Sequence, residues 1–154
     1  MAVKTKDANM LLGISPLLGP DLLFTLRSMG HGDEIALVDG NYPAQDHARR
    51  LIRADGHGVL ALFEAILSVM PLDADVDNPV CRAALNNDAS QVGAIHIAID
   101  RVFTARYPGR GAHPLSGTEL YPRIRAAHTI VATSEMALFG NIILRKGVIA
   151  AGPV

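Results

Sequence analysis

The chain alternates between helical and strand-like apolar patterns. The first helical pattern places apolar residues on one side of a helix, namely Leu22, Leu23, Leu26 and Met29. Pro20 supplies its start and Gly30 its stop. The run 35–38 that follows is continuously apolar and ends at Asp39, which is typical of a strand covered on both faces. Such strands usually belong to α/β layer folds, so the sequence predicts one α/β domain with a central mixed sheet covered by helices.

The middle of the chain continues this alternation. Residues 43–50 predict a polar turn or a short helix, and residues 51–53 predict a short strand. An amphipathic helix is predicted from Val59 to Met70, where Pro71 ends it. The segment 73–79 is acidic and rich in turn formers, and predicts a solvated connection before a strand at 80–85.

The last third predicts two helices and two strands. Ser90 is the expected N-cap of a helix that continues to Phe103. Residues 107–117 carry glycines and prolines and predict a long irregular loop, either a lid or disordered. Pro122 is expected in the first turn of a helix that ends near residue 127. Strands are predicted at 129–133 and 141–144, with a short helix or turn between them.

Composition narrows the possible partners. The 154 residues carry 14 Lys+Arg against 15 Asp+Glu, a net charge of -1, which disfavours nucleic acid and anionic membranes as partners. Only 19% of residues are charged and the mean hydropathy is +0.24, so we expect apolar surface to be buried between subunits. A homo-oligomer is therefore predicted.

Cysteine usage and segment lengths indicate the compartment. Cys81 is the only cysteine, which excludes an intrachain disulfide and fits a reducing cytoplasm. Its apolar neighbours favour a buried filler over a nucleophile. The amino terminus lacks a continuous apolar signal core, and no segment is long and apolar enough to span a bilayer.

Two residues that flank the first predicted strand are candidates for chemistry. His31 lies between two glycines, and an open imidazole both accepts and donates protons near neutrality. An ordinary turn histidine that bonds a backbone carbonyl is an equal alternative. Asp39 lies at the carboxyl end of the buried strand, the edge where open α/β sheets bind ligands. An Asp-Gly turn former is the alternative for Asp39.

A metal site is disfavoured by the residue spacing. His31 with Asp33, and Asp55 with His57, are the available histidine and carboxylate pairs. Neither pair has the helical HExxH spacing or a cysteine cluster, so no metal is predicted. Neither glycine-rich turn has the spacing or the lysine of a phosphate loop.

Several separate motifs resemble one family. They are Ile14-Ser15-Pro16-Leu17-Leu18, Met29-Gly30-His31-Gly32-Asp33-Glu34-Ile35, Asp39 with Pro43-Ala44, Ile52-Arg53-Ala54-Asp55-Gly56, Ile130-Val131-Ala132-Thr133, and Phe139-Gly140-Asn141 continuing to Val148. In this order and spacing the chain resembles the ribose pyranase / fucose mutarotase family, and more closely its fucose branch. The resemblance covers a domain at residues 10–150, so residues 1–9 are expected to be an N-terminal extension.

The resemblance implies a function and a set of site residues. It implies a cytoplasmic isomerase that interconverts the anomers or ring forms of a free monosaccharide, with no organic cofactor and no metal. His31 then corresponds to the catalytic proton donor, and Asp39, Phe139, Gly140 and Asn141 to substrate-binding residues. It further implies a ring-like oligomer, often a decamer, with the active site near subunit boundaries.

The chain departs from the family pattern at two positions. Phe139 replaces the usual tyrosine and so lacks its hydroxyl. Gly117 stands where fucose mutarotases carry an arginine, four residues before the tyrosine matched by Tyr121, and Arg110 or Arg123 are nearby cations that could substitute. A noncatalytic monosaccharide-binding protein tied to sugar uptake is therefore the main alternative. A metal enzyme using His31, Asp33 and His57, and a purely structural oligomer, are the others.

Overall fold

A six-stranded mixed sheet forms the centre of the structure, a computed structural model that describes residues 9–153. The predicted extension at residues 1–9 lies, apart from its last residue, outside the described residues. The strands are β1 (Glu34–Val38), β2 (Leu51–Ala54), β3 (Val80–Ala83), β4 (His113–Leu115), β5 (Thr129–Thr133) and β6 (Ile142–Arg145). Their order is β2-β5-β1-β6-β3-β4, with β6 antiparallel to both of its neighbours and the other pairs parallel. The predicted mixed sheet is confirmed.

Helices cover both faces of this sheet. They are α1 (Pro20–Ser28), α2 (Ala44–His47), α3 (Val59–Leu67), α4 (Ala94–Arg106) and α5 (Gly117–Ala126). α1, α3 and α4 pack on one face around Phe63, Ile99 and Phe103, and α2 and α5 pack on the other around Leu120 and Ile124. Because both faces are covered, the central strand β1 is apolar at consecutive positions, as predicted. Within residues 9–153, no helix is long and apolar enough to span a membrane.

The start of α4 differs from the prediction. Gly93 rather than Ser90 is its N-cap, so the predicted cap is wrong. The Ser90 hydroxyl donates to Asp88 Oδ1 at 2.7 Å, and the Ser90 N–H donates to the same atom at 2.9 Å. This local turn uses the hydroxyl that a helix cap would need, so the helix begins later.

The predicted loop at 107–117 is also partly wrong. Residues 113–115 form the edge strand β4, which pairs with β3, and residue 117 already begins α5. Ser116 sets this early start, because Glu119 accepts its backbone N–H at 3.1 Å in the manner of a capping box. Pro122 therefore lies inside α5 rather than in its first turn, and it cannot donate to the carbonyl of Thr118. Residues 134–139 contain no helix and end in a turn at 138–139, one of the two predicted alternatives.

Candidate active site

The carboxyl end of β1 brings two predicted residues together. Asp39 follows β1, and Asn141 precedes β6, the antiparallel neighbour of β1. The backbone N–H of Asp39 donates to Asn141 Oδ1 at 2.8 Å, and both residues are buried. Because that oxygen is occupied, the Asn141 amide nitrogen remains as a donor to a ligand.

The Asp39 carboxylate lies in an unfavourable environment for a charge. Burial raises the pKa of Asp39 above its ordinary value, while backbone N–H groups, including those of Asn41 and Gly140, act in the opposite direction. The Asn41 N–H donates to Asp39 Oδ1 at 2.9 Å. A buried carboxylate with spare acceptor capacity is suited to hold the hydroxyl groups of a ligand.

A buried histidine fixes the segment 139–141. Phe139 has a φ of 58°, a left-handed conformation that non-glycine residues seldom adopt. Its carbonyl accepts a hydrogen bond from His96 Nε2 at 2.9 Å, and His96 Nδ1 accepts the Gly93 N–H at 3.1 Å. Because Nδ1 is an acceptor, Nε2 carries the hydrogen and the ring is neutral. Burial lowers the pKa of His96, which keeps it in this form.

These residues line a cavity of about 200 Å³. Its lining consists of Asp39, Asn41, Tyr42, Asn87, Gly117, Leu120, Tyr121, Leu138, Phe139 and Asn141. The volume is below the roughly 300 Å³ at which drug-sized pockets begin, so a single small ring is the appropriate ligand size. The lining contains carboxamides, one carboxylate and aromatic rings, but no lysine or arginine.

A hydrogen-bonded chain orients the Tyr42 hydroxyl, and burial keeps it protonated. Arg125 Nη2 donates to His47 Nε2 at 2.8 Å, so the hydrogen of His47 lies on Nδ1, which bonds the Tyr42 hydroxyl at 2.8 Å. Burial raises the pKa of Tyr42 to about 12. Tyr42 therefore acts as a neutral wall of the cavity rather than as a base.

His31 lies at the other end of β1 and is held by a buried carboxylate. His31 Nε2 is 3.0 Å from Asp73 Oδ1, and Arg145 Nε donates to Asp73 Oδ2 at 2.8 Å. The Arg145 hydrogen bond is the largest of several that lower the pKa of Asp73 to about 2. An ionised carboxylate can only accept, so Nε2 carries the hydrogen and Nδ1 of His31 is free to accept a proton. The imidazole is 45% exposed.

Asp73 corrects the prediction of a solvated connection at 73–79. The Asp73 side chain is only 2% exposed, whereas the side chain of Asp75 is 77% exposed and therefore solvated. Sequence reasoning missed Asp73 because it lies in an acidic, turn-rich run. The pairing of Asp73 with Arg145 joins residues 72 positions apart, and no local pattern announces such a contact.

The structure does not bring His31 to Asp39 within one chain. The two residues flank β1 on opposite ends, and strands rise about 3.3 Å per residue, so five residues place the ends roughly 16 Å apart. Asp39, Phe139 and Asn141 line one cavity, and the Gly140 backbone reaches the Asp39 carboxylate. His31 therefore stands apart from the other predicted site residues.

The carboxylates near His31 differ from the predicted metal pairs. Among residues 9–153, one group of side chains has the spacing that could hold a cation. It consists of His31, Asp73 and Asp75, whose potential ligand atoms lie within 4.8 Å of one another. Asp33 instead accepts the Gly30 N–H at 2.7 Å. The hydrogen bonds and ion pair that Asp73 already makes account for this cluster without an ion.

Arg110 and Arg123, the two cations that could substitute for the arginine expected at the position of Gly117, do not line the cavity. Arg123 forms a two-point ion pair with Glu34, and Arg110 donates to the carbonyl of Asp77. Asn87, which sequence reasoning did not single out, lines the cavity next to Gly117. Buried Cys81 receives a hydrogen bond from Arg123 and takes no part in the cavity.

The fold and cavity define a class of α/β protein with one small cavity lined by polar side chains and aromatic rings. The family model described as the RbsD / FucU transport protein family matches residues 12–149. The chain belongs to this family. Human fucose mutarotase is 39% identical over 150 residues, which cover 94% of this chain and 97% of that protein.

Solved structures agree with this assignment. The crystal structure of fucose mutarotase from Streptococcus pneumoniae in complex with L-fucose has a TM-score of 0.78 and 38% identity, covering 91% of this chain and all of that one. Bacillus subtilis RbsD complexed with D-ribose has a TM-score of 0.69 at 21% identity, covering 86% of this chain and 95% of that one. The second likeness supports the fold alone.

Proposed function

We propose that this protein is a sugar isomerase that interconverts the anomers of a free monosaccharide, with L-fucose or a related sugar as substrate. The observation that carries this proposal is the cavity, in which the Asp39 carboxylate and the Asn141 amide face a volume suited to one sugar ring. A sugar hydroxyl both donates and accepts, so a carboxylate beside an amide donor matches its chemistry. The human relative is named a fucose mutarotase, which supports the same reaction.

The cavity favours an uncharged sugar over a phosphorylated or acidic one. Asp39 places a carboxylate in a lining that has no lysine or arginine. A phosphate or a second carboxylate there would face like charge in a partly dehydrated site, without the cations that usually bind such groups. A neutral polyol meets no such repulsion.

The proposed chemistry consists of proton transfers. Ring opening of a cyclic hemiacetal removes the proton of the anomeric hydroxyl and delivers a proton to the ring oxygen, and closing on the other face yields the other anomer. His31 exchanges these protons through its free Nδ1, while Asp39, Asn141 and the backbone of Phe139 and Gly140 hold the sugar. Positioned acid–base groups contribute about 10² to 10⁴-fold, which suffices for a reaction that also occurs in water. No cofactor or metal is needed for these steps.

The separation of His31 from the cavity supports a site shared between two copies. One copy would supply the cavity and a second copy would supply His31, since β1 keeps the two apart within one chain. Exposed apolar side chains offer contact surface for such an assembly, namely Met10, Leu11, Leu12, Phe24, Val92, Ile97, Met136, Leu138, Val148 and Ile149. We propose a ring-like homo-oligomer, a decamer, located in the cytoplasm.

Anomer exchange measured by saturation-transfer NMR tests the proposal. L-fucose, D-ribose and D-galactose are each compared with no protein, the wild type, His31→Ala and His57→Ala. We expect one of these sugars to exchange faster with the wild type and with His57→Ala, because the exposed His57 side chain lies outside the cavity. We expect no acceleration with His31→Ala, which removes the acid–base group.

Other outcomes of this experiment separate the alternatives. Full activity of His31→Ala would refute the assigned role. Loss of activity in both variants, with metal bound in stoichiometric amount, would favour a metal enzyme that uses His31 and His57. Sugar-dependent stabilisation without any acceleration would favour the noncatalytic binding protein, with Phe139 as the first suspected cause.

A further inference from the structure

Asn87 lies on the cavity wall in an unusual backbone conformation. Asn86 and Asn87 have φ values of 52° and 60°, two consecutive left-handed residues that are separated from the end of β3 by Ala84 and Leu85. Asparagine tolerates this conformation better than other residues with a side chain. The two residues turn the chain so that Asn87, but not Asn86, lines the cavity beside the start of α5.

The orientation of the Asn87 amide is fixed by one hydrogen bond. The backbone N–H of Gly117 donates to Asn87 Oδ1 at 2.9 Å. Because an N–H can only donate, the oxygen of Asn87 must face Gly117 and the nitrogen must face away from it. The hydrogen bonds among residues 9–153 leave Asn87 Nδ2 without a protein partner, in contrast to Asn86 Nδ2, which donates to Gln91.

Gly117 leaves the space that the Asn87 amide occupies. A Cβ atom at residue 117 would lie 3.0 Å from Asn87 Oδ1, closer than ordinary van der Waals contact, and 4.0 Å from the ring of Tyr121. A side chain at residue 117 would therefore press on the amide. Gly117 and Asn87 form one structural unit of the cavity wall.

We propose that Asn87 Nδ2 donates a hydrogen bond to a sugar hydroxyl and thereby determines which monosaccharides the cavity accepts. This inference rests on the proposed function and adds a specificity residue to it. Asn141 and Asn87 then present two neutral amide donors, and Asp39 presents the acceptor. Sugars that place a hydroxyl oxygen toward Asn87 are preferred, and analogues without that hydroxyl lose the bond.

The competing explanation is purely structural, because Asn87 Oδ1 also caps the first N–H of α5. Asn87→Asp separates the two roles. Aspartate keeps an oxygen acceptor for the Gly117 N–H and is favourable at a helix N-terminus, but it has no amide donor. A sugar hydroxyl that donates its one hydrogen to Asp39 has none left for the new carboxylate, so the bond is lost. Asn86→Asp is the matched control, since it makes the same chemical change at the adjacent residue, which is exposed like Asn87 but lies outside the cavity.

The experiment measures KM and kcat for the sugar that the wild type accelerates, together with its deoxy analogues. We expect Asn87→Asp to raise KM about three- to tenfold, the factor given by the net loss of one hydrogen bond at an exposed residue. For the deoxy analogue that lacks the bonded hydroxyl, wild type and Asn87→Asp should have equal KM. Asn86→Asp should match the wild type throughout, and thermal unfolding should show both variants folded.

Gly117→Ala provides a second test that does not threaten folding, since alanine favours the helix. We expect it to raise KM about threefold or more in the wild-type chain and to have no effect in an Asn87→Ala chain, because the contact is then absent. Equal effects of Gly117→Ala in both backgrounds would contradict the coupling.

Several results would overturn the role of Asn87. Equal KM values for Asn87→Asp and Asn86→Asp would leave only the helix cap as the role of Asn87. The same increase in KM with every deoxy analogue would lead to the same conclusion. If the wild type accelerates no sugar, the proposed function fails, and the same variants are then compared by sugar dissociation constants from NMR titration. Unchanged dissociation constants in Asn87→Asp would reject the inference in that case as well.

Discussion

The two ends of β1 differ in what they offer to a sugar. At the carboxyl end, Asp39 and Asn141 line a cavity, and Tyr42 forms a wall that stays protonated. At the amino end, His31 is half-exposed and its orientation is set by buried Asp73. In the proposed function, the carboxyl end binds the sugar and the amino end supplies the group that moves protons, so neither end is a complete site by itself.

The carboxylates at these ends also face opposite electrostatic conditions. The pKa of Asp73 is held at about 2 by one hydrogen bond each from the Arg145 side chain, the Asp75 N–H and the His31 side chain. Asp73 is therefore ionised at every physiological pH. Burial raises the pKa of Asp39, so its charge is poorly solvated until a ligand arrives. In the proposed function, Asp73 therefore acts through His31, whereas Asp39 contacts the sugar directly.

Mixing two inactive chains gives the strongest test of the shared site. His31→Ala keeps the cavity and Asp39→Asn keeps the histidine, so an interface between the two variants can restore one complete site. Co-expression with two different tags and purification through both should give about a quarter of wild-type activity, because half of the chains supply each component at random. Anomer exchange by NMR measures the recovery.

Each variant purified alone in both tagged forms provides the baseline for that experiment. Activity of the mixed oligomer no greater than the mean of the two baselines would show that His31 and the cavity do not meet across an interface. A monomer in solution at working concentration would contradict the shared site in the same way.

Asp73→Asn should reduce kcat by about 100-fold with little change in KM, since roughly this factor comes from positioned acid–base catalysis. An amide that donates to His31 Nε2 moves the ring hydrogen to Nδ1, the wrong tautomer for accepting a proton there. The nitrogen-15 chemical shifts of His31 report the tautomer independently of activity.

Asp75→Asn is the matched control for Asp73→Asn. Asp75 Oδ2 lies 3.5 Å from His31 Nε2, but the side chain is exposed. We expect a change in kcat of less than about twofold, because exposed ion pairs contribute little. Equal losses in both variants would mean that general negative charge, rather than the buried hydrogen bond, matters at His31.

The sequence predicted the fold more fully than the site. Covered strands and amphipathic helices leave local periodic patterns, so β1, α1 and α3 were predicted within a few residues. Starts that depend on a capping interaction, such as Gly93 before α4 and Ser116 before α5, were misplaced, because several polar residues compete for the cap. Asp73 and Asn87 were missed since their roles arise from contacts distant in sequence, and only the folded chain reveals them.

Asp39→Asn should weaken sugar binding and stabilise the protein at the same time. Loss of a charged acceptor should raise the dissociation constant about 10- to 100-fold. The folded-state pKa of Asp39 is raised, so its ionised form is disfavoured by folding at neutral pH, and a neutral amide removes that penalty. Sugar titration by NMR and urea unfolding at pH 7 measure the two effects. A destabilised Asp39→Asn would show that the hydrogen bonds from Asn41 and Gly140 outweigh desolvation.

The smallest expected effect is a pH dependence of stability at the cavity end. Burial lowers the pKa of His96, with Arg82 adding to the shift and Asp100 opposing it. The unfolded chain therefore binds a proton near pH 6.5 that the folded chain resists, so stability is fully present above pH 6.5 and falls as the pH decreases. One such group contributes a slope of at most about 1.4 kcal/mol per pH unit.

Urea unfolding at pH 7.5 and pH 5.5 measures this slope in the wild type, His96→Gln and His128→Gln. Burial also lowers the pKa of His128, which lies at the amino end of β5 among Arg50, Asp33 and Lys146, so each variant should remove part of the slope. Only His96→Gln should also weaken sugar binding, because only His96 holds the Phe139 carbonyl beside the cavity. Weaker binding in both variants would mean that the pH response belongs to the whole domain rather than to the end of β1 that binds the sugar.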